Sequence, residues 1–524
     1  MINKVLLYRP TFPNVSPKSP NLLELYHYPL GLLNIAAQIK KSGFNVQILD
    51  EILLQEAGKS LENFLDNVSL VGITGYITQH KIMLLTAERI KTYNPNIIVT
   101  FGGPHVTLTK DLLAKSPYVD YIIQGEGEFT FSKLIDRLDN NRQISDIDGL
   151  IFKENKRIKI NKPRFIENLD NLPIPAFELS NLKTYYDLFM KKYDELGAFS
   201  YPRSYRIPLE GSRGCPVACN FCSARTILGS KWRTKTPERL IQEILRIEEL
   251  FPKIFHAEDT YITFVDNNFT TSKKHVLNFC SLKKKSKIDI PWAALTRATD
   301  LTYDLLKAMV NTGFFATYIG GESGDPDSLL NIGKKYKLDS TINAVKACIK
   351  ANVQRIIVSF IVGFPFENMN AIKNTLEYAY KLRELAPDRI IISIYKATPF
   401  PSTPLWKELE SQGKLSPNLE NYDPTIAKGL VFDHPIFGYE AKELDILLAL
   451  WKKLTALKIL ESKFVDHQLS FQQFVQYMNR IIFSLKSIGL KQIPRITVYM
   501  LFDKKQLLAL VDTTIKKIEN FIFD

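Results

Sequence analysis

Short apolar runs separated by longer amphipathic stretches repeat along most of this 524-residue chain. Lys4–Tyr8, Phe44–Leu49, Leu70–Thr74, Ile97–Phe101 and Tyr121–Gln124 are continuous apolar segments of strand length, the pattern of strands buried on both faces. Between them apolar residues recur with helical period, as from Pro29 to Ser42, where Gly43 supplies a stop. Five strands alternating with helices predict a doubly wound parallel sheet over residues 1–145, a fold that binds ligands at the carboxyl ends of its strands. Over 146–205 the alternation lapses, and Asp170-Asn-Leu-Pro-Ile-Pro175 reads as an interdomain linker. Tyr185, Tyr186, Tyr193 and Tyr201 cluster there, expected as packing between domains, with a substrate entrance as the alternative.

Alternation resumes with strands expected at 206–211, 261–265, 291–295, 316–320, 355–361 and 390–396. Thr236 caps one intervening helix, Pro237 takes its first position, and Leu240, Ile241, Ile244 and Leu245 lie on its apolar face. Six βα units over 206–410 are too few for a closed eight-stranded barrel and predict an open one, with its chemistry at the carboxyl ends of the strands. Residues 411–524 read as helical, with Leu444–Trp451 and amphipathic runs such as Phe471–Leu485. A substrate-facing cap is expected there, a membrane-surface role being the alternative. The fold class is thus α/β: a doubly wound, flavodoxin-like N-terminal sheet, an open (β/α)6 partial barrel and a helical C-terminal region.

Composition changes this picture little. At 45% hydrophobic residues the chain suits a soluble globular protein, no apolar run reaches the length of a spanning helix, and no targeting segment is evident, so a cytoplasmic location is expected. The net charge of +13 comes mostly from dispersed lysines. The densest group, Lys283, Lys284, Lys285 and Lys287, reads as a solvated helix end, so no nucleic-acid partner is expected.

Three of the five cysteines change it decisively. Cys215, Cys219 and Cys222 stand in Gly211-Ser-Arg-Gly-Cys-Pro-Val-Ala-Cys-Asn-Phe-Cys, a C-x3-C-x2-C spacing directly after the first barrel strand. Three thiolates on one loop can hold three irons of a [4Fe-4S] cluster and leave the fourth open to a ligand, whereas electron carriers normally close the cluster with four cysteines. A zinc knuckle needs a fourth ligand nearby, and none occurs before His256. Disulfides would leave one thiol over. Glycines crowd the strand ends of the first domain, at Gly72, Gly75, Gly102, Gly103, Gly125 and Gly127, where tight turns or the close approach of a flat ligand both call for them.

Together, Gly102-Gly103-Pro104-His105, Gly125-Glu-Gly-Glu128, the linker proline motif and the cysteine loop resemble the cobalamin-binding radical S-adenosylmethionine enzymes. The resemblance covers about residues 1–410 and implies cobalamin on the first strand ends, near Gly102, Gly103, His105, Gly125 and Gly127. No Asp-x-His-x-x-Gly run follows the first strand, so the cobalt is expected without a lower histidine, with Tyr76, Ile77 or Thr78 opposite that face. Gly320-Gly321-Glu322-Ser323 resembles the glycine-glycine-glutamate motif, Glu322 accepting from the ammonium of S-adenosylmethionine and Ser323 lying near its ribose. Asp266 resembles part of the family's acidic pair and Arg297 its carboxylate-binding arginine. Val362 and Gly363 run along the adenine and Phe221 packs its edge. Thr398 to Leu405 matches a further signature near the mouth of the site.

The activity this implies is reductive cleavage of S-adenosylmethionine to a 5′-deoxyadenosyl radical, driven by an external flavodoxin- or ferredoxin-type reductant. Methyl transfer from methylcobalamin to an unactivated carbon or a phosphinate phosphorus of a small-molecule or peptide substrate would follow. Rearrangement, ring contraction and oxidative cyclisation use the same parts, and a non-catalytic cobalamin sensor is the reading from another class. Methylthiolation needs a second cluster, and no cysteine precedes Cys215.

Overall fold

The computed structural model describes residues 2–12, 20–196, 204–415, 435–436, 442–465 and 511–519. Seven strands form the first sheet: β1 (Val5–Arg9), β2 (Val46–Asp50), β3 (Leu70–Thr74), β4 (Ile98–Gly102), β5 (Tyr121–Ile123), β6 (Leu150–Glu154) and β7 (Arg157–Ile160). Their order is β2-β1-β3-β4-β5-β6-β7, parallel through β5 and antiparallel beyond. The first five follow the flavodoxin-like order, whose switch point lies between β1 and β3. The β6–β7 hairpin falls in the stretch expected as linker. Its edge strand is exposed and charged, so it lacks the apolar run that marks the other strands.

The second sheet opens with β8 (Tyr205–Leu209), and a short ribbon follows it. In that ribbon β9 (Ser212–Arg213) pairs antiparallel with β10 (Arg233–Thr234), framing the cysteine loop between them. With β8, the strands β11 (Thr260–Phe264), β12 (Trp292–Thr296), β13 (Phe314–Glu322), β14 (Arg355–Val362) and β15 (Ile390–Lys396) form six parallel strands in the order β15-β14-β13-β12-β11-β8. This is the open barrel predicted. Every strand falls within two residues of its expected start, because each buries an apolar face against helices. The helix Pro237–Leu250 starts as expected, with the Thr236 hydroxyl accepting from the Arg239 N–H at 3.3 Å.

An open barrel leaves β8 with an unpaired edge, and the first domain covers it. The Tyr28 hydroxyl, fully buried, donates to the Pro208 carbonyl at 2.7 Å, and Arg206 pairs with Glu24 at 2.8 Å. Tyr28 and Leu33 share one apolar core with Ile207 and Leu209. Tyr186 stacks edge-on against Tyr205 and donates to Asp259 at 3.0 Å on the barrel side, while the buried Tyr185 hydroxyl donates to Asp50 of the first sheet, so these two linker aromatics pack between the domains; Tyr201 lies outside the described residues. Of the C-terminal region, the helix Lys442–Val465 packs on Met369–Arg383 through Trp451 and Tyr380, and Lys396 at the end of β15 pairs with Asp445 at 3.0 Å. The amphipathic run 471–485 lies outside the described residues.

Candidate active site between the two sheets

The concave face of the barrel is tiered. Register aligns Leu295, Tyr318, Ile357 and Ile391 across four strands, and the tier nearer the carboxyl ends is Gly320, Ser359 and Ser393. An apolar floor therefore carries a rim of small residues, which leaves room for a ligand beside the cysteine loop. Cys215, Cys219 and Cys222 lie on that loop, unbonded to one another and partly accessible. Asn220 anchors the loop: its N–H donates to the Ile332 carbonyl at 3.1 Å and its side-chain amide to Asn331 at 2.9 Å. Burial pushes the Cys219 thiol up to about 11, against the pull of Lys334, so without metal it is protonated, and a bound iron would displace the proton.

No three His, Cys, Asp or Glu side chains among the described residues converge on a point where one metal ion could sit. Glu322, at the end of β13, has φ +61 and follows a bulge in the β13–β14 register. Its carboxylate folds back over Gly320, where any Cβ would collide with it, and pairs with Lys334 at 3.0 Å. Tyr336 lies under the Lys334 ammonium and donates to the Gly320 carbonyl at 2.8 Å. Phe221 sits 5.7 Å from the Phe364 ring, beside Val362 and Gly363, and the Gly363 N–H donates to Glu367 at 2.7 Å.

Three expected S-adenosylmethionine contacts are engaged within the protein. Asp266 is buried and accepts from the Gly211 N–H at 2.7 Å and the Ser212 hydroxyl at 2.5 Å, holding the start of the cysteine loop. Arg297 forks onto Asp300 at 3.1 and 2.8 Å. The Ser323 hydroxyl is buried against Thr375 at 2.9 Å and receives the Asp325 N–H, turning the chain into the helix Pro326–Asn331 instead of facing the rim.

Between the sheets lies a cavity of about 590 Å³. Its near wall is the switch point of the first sheet, including Gly72, Gly75, Tyr76, Gly102, Gly103, Gly125 and Gly127; its far wall includes Arg213 and Leu228, on either side of the cysteine loop, and Val265 after β11, while the three cysteines themselves do not line it. At Gly102 the one atom near the place of a Cβ is the Ile123 carbonyl oxygen at 4.0 Å, which leaves room for a flat ligand, whereas Gly103 serves the turn itself, with φ +94 and a Cβ place 2.5 Å from the Thr74 hydroxyl. Thr100 in the same wall has a buried hydroxyl without a partner among the described residues. Tyr76 is 55% exposed beside Phe12. Ile77, Thr78 and His105 do not line this cavity. Ile77 packs inward. His105 is buried, its Nε2 2.9 Å from His80 Nδ1, because the helix Pro104–Ala114 turns its second side chain into the domain.

Sequence reasoning missed the charges that join the walls. Glu126 and Glu128, alternating with Gly125 and Gly127, meet Arg213 and Arg233 of the β9–β10 ribbon, all four buried. Charges interleaved with a glycine motif at a strand end were the available signal.

An open barrel with a three-cysteine loop, facing a doubly wound sheet across a glycine-lined cavity, defines a two-cofactor radical enzyme. Residues 209–379 match the Radical SAM superfamily and residues 22–135 the B12 binding domain. The chain is 33% identical, over 72% of its length and 78% of the relative's, to an uncharacterized methyltransferase of Pyrococcus horikoshii. It is 26% identical, over 67% of each protein, to the anaerobic magnesium-protoporphyrin IX monomethyl ester cyclase of a Synechocystis strain. The structure of the cobalamin-dependent S-adenosylmethionine radical enzyme OxsB matches 99% of this chain and 78% of its own, with TM-score 0.71 and 16% identity. The chain belongs to the cobalamin-binding radical S-adenosylmethionine enzymes. A [4Fe-4S] cluster, S-adenosylmethionine and cobalamin are its cofactors, and its reaction needs a substrate and a reductant. No described helix is long and apolar enough to cross a membrane.

Proposed function

We propose that this enzyme methylates an unactivated carbon, or a phosphinate phosphorus, of a small-molecule or peptide substrate. The observation that carries the reading is the cavity whose opposite walls are the glycine shelf and the flanks of the cysteine loop. When bound, the cluster supplies the electron that cleaves S-adenosylmethionine and cobalamin supplies a transferable methyl group. In this reading Cys215, Cys219 and Cys222 each hold one iron. Glu322 accepts from the ligand ammonium in place of Lys334, Gly320 and Gly321 leave it space, and Phe221 with Val362 and Gly363 borders the adenine. Gly102, Gly103, Gly125 and Gly127 would let the backbone approach a corrinoid, and Tyr76, which lines the same wall, would lie against it. Asp266, Arg297 and Ser323 position these groups by holding the loops that bear them. The reductant is an external flavodoxin or ferredoxin.

The cyclase among the relatives favours oxidative cyclisation as a second reading. Anaerobic, cluster-loaded protein with cobalamin, S-adenosylmethionine and a reductant separates them. Methylation yields S-adenosylhomocysteine as well as 5′-deoxyadenosine, cyclisation yields only the nucleoside, and absence of both sinks the two readings together.

A further inference from the structure

The buried charges between the cavity walls connect the two cofactor sites directly. On the cobalamin side, Glu126 accepts from the Ile166 N–H at 2.6 Å and pairs with Arg233 at 2.8 Å, while Glu128 meets Arg213 at 2.6 Å. On the cluster side, Arg213 stands two residues before Cys215, also reaches Glu210 at 2.9 Å and Glu126 at 3.5 Å, and lines the cavity. Arg233, its partner across the ribbon, donates to the Leu228 carbonyl at 2.6 Å, behind the same loop. Two arginines thus face three carboxylates. Glu128 borders the cavity, and its Oε2, closed off behind that wall, has no hydrogen-bond partner among the described residues. An unmet carboxylate oxygen in a low-dielectric wall is costly until a donor reaches it. The rim of a corrinoid is studded with carboxamides, whose N–H groups are such donors.

We propose that Glu128 and Arg213 are positioning residues that make cobalamin binding and the order of the cysteine loop mutually dependent. A carboxamide N–H at the cavity wall draws the Glu128 carboxylate out to meet it, completes its hydrogen bonding and fixes it. The fixed carboxylate holds the Arg213 fork, and Arg213 holds the backbone that leads into Cys215. Linkage requires the converse: a loop fastened by its cluster sets Arg213 and Glu128 for the corrinoid. The inference rests on the two-cofactor reading above and adds a coupling to it.

The test is the dissociation constant of hydroxocobalamin, read from its absorption spectrum, for full-length protein with and without reconstituted iron and sulfide. The ratio of the two constants should be about tenfold in the parent, within the usual range for coupled sites. It should fall to within about twofold of unity in Glu128→Gln, with the iron content retained. Arg213→Lys keeps the charge and loses the fork, and it should collapse the ratio likewise if Glu128→Gln fails to fold. A purely structural role would weaken affinity in both states and leave the ratio intact. A ratio of one in the parent, or an unchanged ratio in both variants, overturns the coupling. Protein that takes up neither iron nor cobalamin instead overturns the two-cofactor reading.

Discussion

Protonation of His105 should destabilise the ligand end of the first domain, and Gln is the substitution that isolates it. Burial, reinforced by the neighbouring His80, pulls the His105 imidazole down to about 3. A histidine whose folded value is depressed stabilises the fold above its ordinary value of about 6.5, and that contribution is lost as pH falls from there towards 3. Over each pH unit in which only the unfolded chain carries the proton, stability falls by about 1.4 kcal/mol. Moving from pH 7.5 to pH 5 should therefore cost about 2 kcal/mol through this side chain alone. His105→Gln keeps an amide nitrogen near the place of Nε2, which lies 2.9 Å from His80 Nδ1, but cannot take up the proton. Urea unfolding at both pH values gives the two stabilities. The variant should lose about 2 kcal/mol less than the parent over that interval. Parallel losses would refute the reasoning, because they would mean that His105 is either hydrated or already charged in the folded protein.

His105 also shows where the sequence is silent. Its place after Gly102-Gly103-Pro104 makes it a candidate cofactor contact, yet side-chain direction depends on how Pro104 starts its helix, and motif position does not report that. Strands are legible because burial on both faces writes a continuous apolar run, as in Leu70–Thr74. The ribbon of Ser212–Arg213 and Arg233–Thr234 is not, since two residues per strand carry no period. The cysteine spacing and the glycine strand ends are legible because metal ligation and close backbone approach each demand one residue type. Glu126, Glu128, Arg213 and Arg233 are illegible for the opposite reason: in sequence a charge reads as surface, and only the meeting of two domains buries it. Ser323 reads as a ribose contact and instead receives the Asp325 N–H, a local turn role that serine plays often and that competes with any ligand.

Three further outcomes follow from the geometry. Tyr28→Phe removes the hydroxyl that satisfies the Pro208 carbonyl at the barrel edge, and should lower stability by about 1–3 kcal/mol in denaturant unfolding. Gly320→Ala pushes against the flexible Glu322 carboxylate and not the backbone, so melting should hardly move while S-adenosylmethionine binding, measured by equilibrium dialysis on cluster-loaded protein, weakens about tenfold. The last concerns Asp266, where burial raises the carboxyl to about 7 despite the hydrogen bonds from Ser212 and Gly211. A folded value raised above the unfolded one gives stability that is complete below about pH 4 and is lost as pH climbs through 7, the opposite sign to His105. From pH 5.5 to 7.5 that loss is about 2 kcal/mol, against about 1.4 kcal/mol gained through His105 over the same interval, so in the parent the two contributions partly cancel. Only differences between variant and parent are therefore informative. Asp266→Asn, neutral throughout, should be less sensitive than the parent to the rise in pH by about 2 kcal/mol, and equal sensitivity would show that Asp266 is ionised in the fold at both pH values.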